Sequence, residues 1–203
     1  GTRQCAWAHP FHALPPGAEP RIGGGDTLRI GPGDYRMGLG APGSERCHAD
    51  FSWDCHVPPV PSGASRQQPT RITGTAPDGS CSTRPQLWGT ERAAMVLNLH
   101  GSAHVDISCL EITDRAGCVE NHCHGGQCGG PVQRCERERA PYGDWSGTGI
   151  SARDASDVTL RELDIHGLAL RGIHAGRVRD WRLQDVRIVG NGWSGWDGDL
   201  GED

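Results

Sequence analysis

The stretch Gly149-Ile150-Ser151-Ala152, Asp157-Val158-Thr159-Leu160, Leu163-Asp164-Ile165-His166 is followed at an interval of 23 residues by Gly172-Ile173-His174-Ala175, Asp180-Trp181-Arg182-Leu183, Val186-Arg187-Ile188-Val189. Each apolar residue of the first unit finds an apolar partner in the second. The segment 96–114 has the same internal layout, with Leu97, Leu99, Val105, Ile107, Leu110 and Ile112 in the six apolar slots. It stands 53 residues before its match, which is one period of 23 plus an insertion of 30. Each unit is three short runs of period-two alternation separated by turns, the pattern of three strands with one buried face apiece. A strand-built repeat of this length predicts a solenoid of stacked parallel strands.

Stacking is required energetically. Six apolar side chains cannot by their burial alone offset the conformational entropy lost by 23 ordered residues. Neighbouring coils supply the missing contacts and the backbone hydrogen bonds. The register predicts inward columns of Ile150, Ile173 and Trp196, of Leu160 and Leu183, of Leu163 and Val186, and of Ile165 and Ile188. Trp181 also falls in an inward slot.

Beyond this core the chain is less regular. Residues 1–25 are loop-like, and Gly25-Asp26-Thr27-Leu28-Arg29-Ile30-Gly31-Pro32-Gly33-Asp34-Tyr35-Arg36 suggests a strand, a Pro-Gly turn and a short return strand. A Pro/Gly/Ser-rich loop over 37–69 carries Cys47 and Cys55. Arg71-Ile72-Thr73-Gly74 suggests another strand, and a loop with Cys81 and Trp88 leads into the repeats. The insertion lies within 117–146. The whole of 1–203 is expected to form a single solenoid domain. Its last coil has barely begun at Asp203, so we expect either further coils in the natural polypeptide or a partner surface, self-association included, covering that end.

The net charge of -5 argues against a basic nucleic-acid binder. All 20 basic residues are Arg, which excludes Schiff-base and lysine general-base chemistry. The 31 Gly and 14 Pro fit tight turns better than helices. No apolar run is long enough to span a membrane. Nine Cys favour an oxidising, secreted setting. In that setting Cys118, Cys123, Cys128 and Cys135 of the insertion are expected to form disulfides, with a zinc site built from them and His122 and His124 as the alternative. Cys47 and Cys55 suit a local bridge.

The Gly25–Arg36 stretch resembles the entry motif of secreted right-handed parallel β-helix proteins of the pectate-lyase-like superfamily. The coils Asp157-Val158-Thr159-Leu160, Asp164-Ile165-His166-Gly167 and Gly172-Ile173-His174-Ala175-Gly176 resemble coils of the same superfamily. The resemblance covers about two-thirds of the chain and implies an all-β, right-handed parallel β-helix, to which the cysteines add disulfide-rich loop insertions and the unfinished last coil adds the expectation of a truncated N-terminal part. It leaves function open, because the superfamily holds polysaccharide lyases, polygalacturonases, esterases, phage tailspikes and non-catalytic surface proteins. The polygalacturonase motifs Asn-Thr-Asp, Asp-Asp and Gly-His-Gly are absent.

Advancing by 23 aligns Ser151, His174 and Asp197 in one outward column and Arg153, Gly176 and Asp199 in the next. This patch could hold a cation, expected to be calcium if there is one, on Asp197 and Asp199. It could fix an acidic sugar with Arg153 and supply an acid or base in His174. Glu111, Asp164 and Arg187 form a second outward column, expected to be a charge ladder. Seven Trp against two Phe and two Tyr suggest sugar platforms, with Trp88, Trp145 and Trp193 as the loop residues suited to that role and Ser151 as a further substrate contact. Two function classes follow. One is an extracellular carbohydrate-active protein, a polysaccharide lyase or hydrolase if it is an enzyme, with His174, Asp197 and Arg153 as the catalytic set. The other is a non-catalytic secreted surface or binding protein on a β-helix scaffold.

Overall fold

The computed structural model describes residues 6–47, 55, 57–76, 78–89, 93–115, 118, 135 and 146–199. Fourteen strands are seen among them: β1 (Thr27–Ile30), β2 (Asp34–Met37), β3 (Thr70–Gly74), β4 (Gln86–Gly89), β5 (Ala93–Asn98), β6 (Ala103–Ser108), β7 (Glu111–Asp114), β8 (Ser146–Arg153), β9 (Ser156–Arg161), β10 (Asp164–His166), β11 (Arg171–Gly176), β12 (Arg182–Gln184), β13 (Arg187–Val189) and β14 (Ser194–Asp199). They form three sheets, ordered β1-β3-β6-β9-β12, β2-β4-β7-β10-β13 and β5-β8-β11-β14. Every pairing between these strands is parallel, which makes the chain an all-β parallel solenoid.

The inward columns run as the repeat requires. Leu28, Ile72, Ile107, Leu160 and Leu183 share one register. Tyr35, Leu87, Ile112, Ile165 and Ile188 share the second. Leu97, Ile150, Ile173 and Trp196 share the third. The backbone N–H of Arg187 donates to Leu163 O at 2.9 Å, which holds Leu163 and Val186 in step. One apolar cluster extends from Phe11 to Ala175 through these columns.

Corners between sheets are made by stacked residues with left-handed backbone. His104, Asp157 and Asp180 have φ of 55°, 51° and 56°, and Cys109, Glu162 and Asp185 have 58°, 51° and 53°. Both sets repeat at the offsets of 53 and 23. Asp is among the few non-glycine residues that reach this region readily, because its short side chain bonds locally.

Three expectations are corrected. The residues after Pro32 do not return alongside β1: β1 pairs with β3 and β2 with β4, so Gly31-Pro32-Gly33 turns a corner between sheets. Residues 86–89 are not loop but the strand β4. Trp196 is not core. It lies 40% exposed because β14 is the outermost strand of its sheet, and its ring packs edge-on against the half-buried Trp181 at 5.7 Å. Cys118 and Cys135 form a disulfide, as expected over the zinc alternative. Cys47 is bridged to Cys55 as expected, and Cys81 to Cys109, a pairing the spacing did not suggest. Cys123, Cys128 and Trp145 lie outside the described residues. No helix among the described residues is long and apolar enough to cross a membrane.

Candidate functional site

The outer face of the β5-β8-β11-β14 sheet carries the predicted patch. A Cβ on Gly149 would point at Ile112 and Ile165 of the interior, although the next residue, Ile150, is itself fully buried. Two successive inward residues shift the alternation, and Ser151 then falls on the outer side. Ser151, His174 and Asp197 are direct neighbours in register, as are Arg153, Gly176 and Asp199. The side chain of Asp199 lies outside what is described.

Contacts around this column redistribute the roles expected of it. Ser151 is only 5% exposed, because His100 covers it, with Nε2 2.8 Å from Ser151 Oγ. Asn98 shares the Ser151 column, accepts from the His100 backbone N–H at 2.9 Å and donates to Val57 O at 2.9 Å. His100 also borders a groove of about 500 Å³ whose other wall is Glu19 and the prolines 58, 59 and 61. At the opposite end Arg171 donates from Nε to Asp197 Oδ2, and its guanidinium lies 4.7 Å from the ring centre of Trp193. Trp193 remains 48% exposed. The cation beside Asp197 is therefore Arg171, while Arg153 lies near Asp154. Arg177 donates two hydrogen bonds to Asp154 and holds its carboxyl below the usual range, with smaller contributions from Arg153 and His100.

The second column is more than a charge ladder. Arg187 bonds both oxygens of Asp164, at 2.8 and 3.1 Å, as a ladder would. Glu111, however, accepts from Gln86 Nε2 at 2.8 Å and pairs with His166 Nε2 at 2.9 Å, while His166 Nδ1 lies 3.2 Å from Thr113 Oγ1. Trp88, expected as a sugar platform, is only partly exposed and has two guanidiniums near its ring, Arg115 at 4.4 Å and Arg36 at 5.9 Å, whereas Trp193 is half-exposed beside one.

His100, Arg171 and His166 were missed by sequence reasoning. His100 was within reach of it, since the offset of 53 places it beside Arg153. Arg171 meets Asp197 and His166 meets Glu111 diagonally across strands, which a register reading does not reach, although Thr113 is the direct register partner of His166.

No known protein family, curated protein or solved structure matches the chain.

Proposed function

We propose that the chain is an extracellular carbohydrate-active protein, of right-handed parallel β-helix type and pectate-lyase-like architecture, that binds a polysaccharide on the outer face of β5-β8-β11-β14. The observation that carries this reading is Trp193. A half-exposed indole is backed by Arg171, and Arg171 is itself fixed by Asp197. An aromatic plane beside oriented polar groups is what a sugar ring needs, because its C–H face packs on the indole while its hydroxyls find fixed partners. Secretion is supported by the three disulfides. Right-handedness is supported by the general preference of parallel crossovers.

In the catalytic form of the proposal, His174 moves the proton, and Arg171 with Arg153 stabilises developing negative charge. The rival is a non-catalytic binding surface, and one observation favours it: Asp197 is engaged by Arg171, so it is committed as a partner rather than held as a proton acceptor or calcium ligand. Purified protein is screened for binding and for product release on acidic and neutral polysaccharides, with and without calcium. Trp193→Ala and Arg171→Ala should each weaken binding by about tenfold or more. His174→Ala should slow any turnover by about 100-fold. Binding with no product on any substrate selects the non-catalytic reading, and binding unaffected by both Trp193→Ala and Arg171→Ala refutes the site.

A further inference from the structure

The corner after β6 gathers sulfur and carboxylate. Cys109 stands there in the left-handed conformation, with Glu162 and Asp185 at the same corner of the following coils. Cys81, from the loop before β4, is bridged to Cys109. Glu162 Oε2 lies 3.0 Å from Cys81 Sγ and 3.7 Å from Cys109 Sγ, and the three ligand-type atoms all fall within 4.8 Å of one another. A bridged sulfur carries no proton and so gives the carboxylate no hydrogen bond. Arg84 Nε reaches only the backbone oxygen of Glu162, at 2.8 Å. With the bridge cut, two thiolates and a carboxylate would converge with no donor between them among the described residues, an arrangement that a shared cation satisfies.

We propose that Cys81, Cys109 and Glu162 form a binding site for a zinc-type divalent ion, which the Cys81–Cys109 bridge keeps closed. A dithiol opens it. Two electrons and two protons pass to the bridge, the S–S bond breaks, each sulfur takes a proton, and the dithiol leaves as its own disulfide. Metal binding then releases both protons to solvent, leaving two thiolates and one carboxylate as ligands and a fourth position for water. Tetrahedral zinc with Zn–S near 2.3 Å holds two sulfurs roughly 3.8 Å apart, a separation that the side chains reach by rotation once the bridge is cut. Glu162 reaches solvent, so an ion has a path in.

The chain is reduced with a water-soluble phosphine, which leaves as its oxide with oxygen from water while that water's two protons go to the sulfurs. It is then titrated with cobalt and with zinc against a chelator, reading thiolate-to-cobalt absorption and zinc affinity. The remaining cysteines also offer thiols, so variants carry the comparison. The reduced native chain should bind one equivalent that the Cys81→Ser/Cys109→Ser double variant lacks. Glu162→Gln keeps every thiol and a near-identical shape, and should bind that equivalent at least about tenfold more weakly, since even groups that only orient ligands cost that much. The bridged chain should not bind it. The proposal is overturned if Glu162→Gln binds as the native chain does, if the double variant retains the equivalent, or if the bridged chain binds equally well.

Discussion

Asp157→Asn tests whether the stacked corners are held by charge. The Asp157 side chain is 8% exposed, and two guanidiniums and an imidazole converge on it. Arg66 donates to Oδ1 from Nε at 2.8 Å and approaches it with Nη2 at 2.7 Å, Arg182 Nη1 reaches Oδ1 at 3.0 Å, and His104 Nδ1 lies 2.7 Å from Oδ2. These partners hold the carboxyl far below the usual range, with the Arg66 hydrogen bond as the largest cause and desolvation opposing it. Asn is nearly isosteric and tolerates the φ of 51° as well as Asp does, so neither volume nor backbone confounds the change. Removing one member of a buried charge pair costs roughly 3 to 5 kcal/mol. Arg66 and Arg182 are 54% and 46% exposed and recover water, which brings the expected loss to about 1 to 2 kcal/mol. For a chain of this length that lowers the thermal midpoint by about 3 to 6 °C. Because the folded-state pKa is depressed, the stabilisation is complete above the unfolded value of about 3.9 and is lost as pH falls through the folded value. Thermal unfolding of both proteins should therefore show a constant gap above about pH 5 that shrinks below about pH 4. An equal gap at neutral pH and in strong acid, or none at neutral pH, refutes the argument.

Ile165→Ala, at the fully buried centre of its column, should lose about 2 to 5 kcal/mol in denaturant unfolding, whereas Leu183→Ala, 43% exposed on the outermost strand, should lose well under half as much. Gly149→Ala would set a Cβ 2.7 Å from the backbone oxygen of Gly172 and 3.2 Å from the side chains of Ile112 and Ile165, so it should destabilise by about 2 kcal/mol or more in the same assay. His9 accepts from the Phe11 backbone N–H at Nδ1 and faces Arg36 O through Nε2, and burial lowers its pKa. Its contribution is complete above the unfolded value of about 6.5 and lost as pH falls through the lower folded value, so hydrogen exchange at the Phe11 amide should speed up relative to neighbouring amides below about pH 6.

The later coils were legible because their period is unbroken. Leu160 to Leu183 and Ile165 to Ile188 are both 23 apart, and parallel strands in register turn that spacing directly into contact. Earlier coils hide the same columns. Ile72 to Ile107 spans 35 residues while Leu87 to Ile112 spans 25, since loops of different length leave from different corners. That is why β4 passed for loop, although Leu87 is fully buried in it. The patch was legible to the same extent. Register fixed which residues share a column, but whether a polar side chain is covered or engaged depends on contacts between columns. Ser151 beneath His100 and Asp197 against Arg171 are of that kind.

Corners and faces of this solenoid answer to different constraints, and the difference bears on where chemistry can reside. On a face any outward residue is tolerated by the backbone, so an outward side chain such as His174 is oriented only by its neighbours. At a corner the left-handed backbone restricts which residues fit and fixes where their side chains begin. Stacking then brings equivalent corners together about one strand spacing apart, near 4.8 Å. Two such corners flank the first sheet. One places His104 over Asp157 and recruits Arg66 and Arg182, which completes a hydrogen-bonded charge cluster. The other places Cys109 over Glu162 and recruits Cys81, while Arg84 bonds the Glu162 backbone oxygen rather than its carboxylate. The same backbone geometry thus yields one carboxylate met by guanidiniums and, among the described residues, one that is not, and it is there that an external ion has something to gain once the bridge is cut.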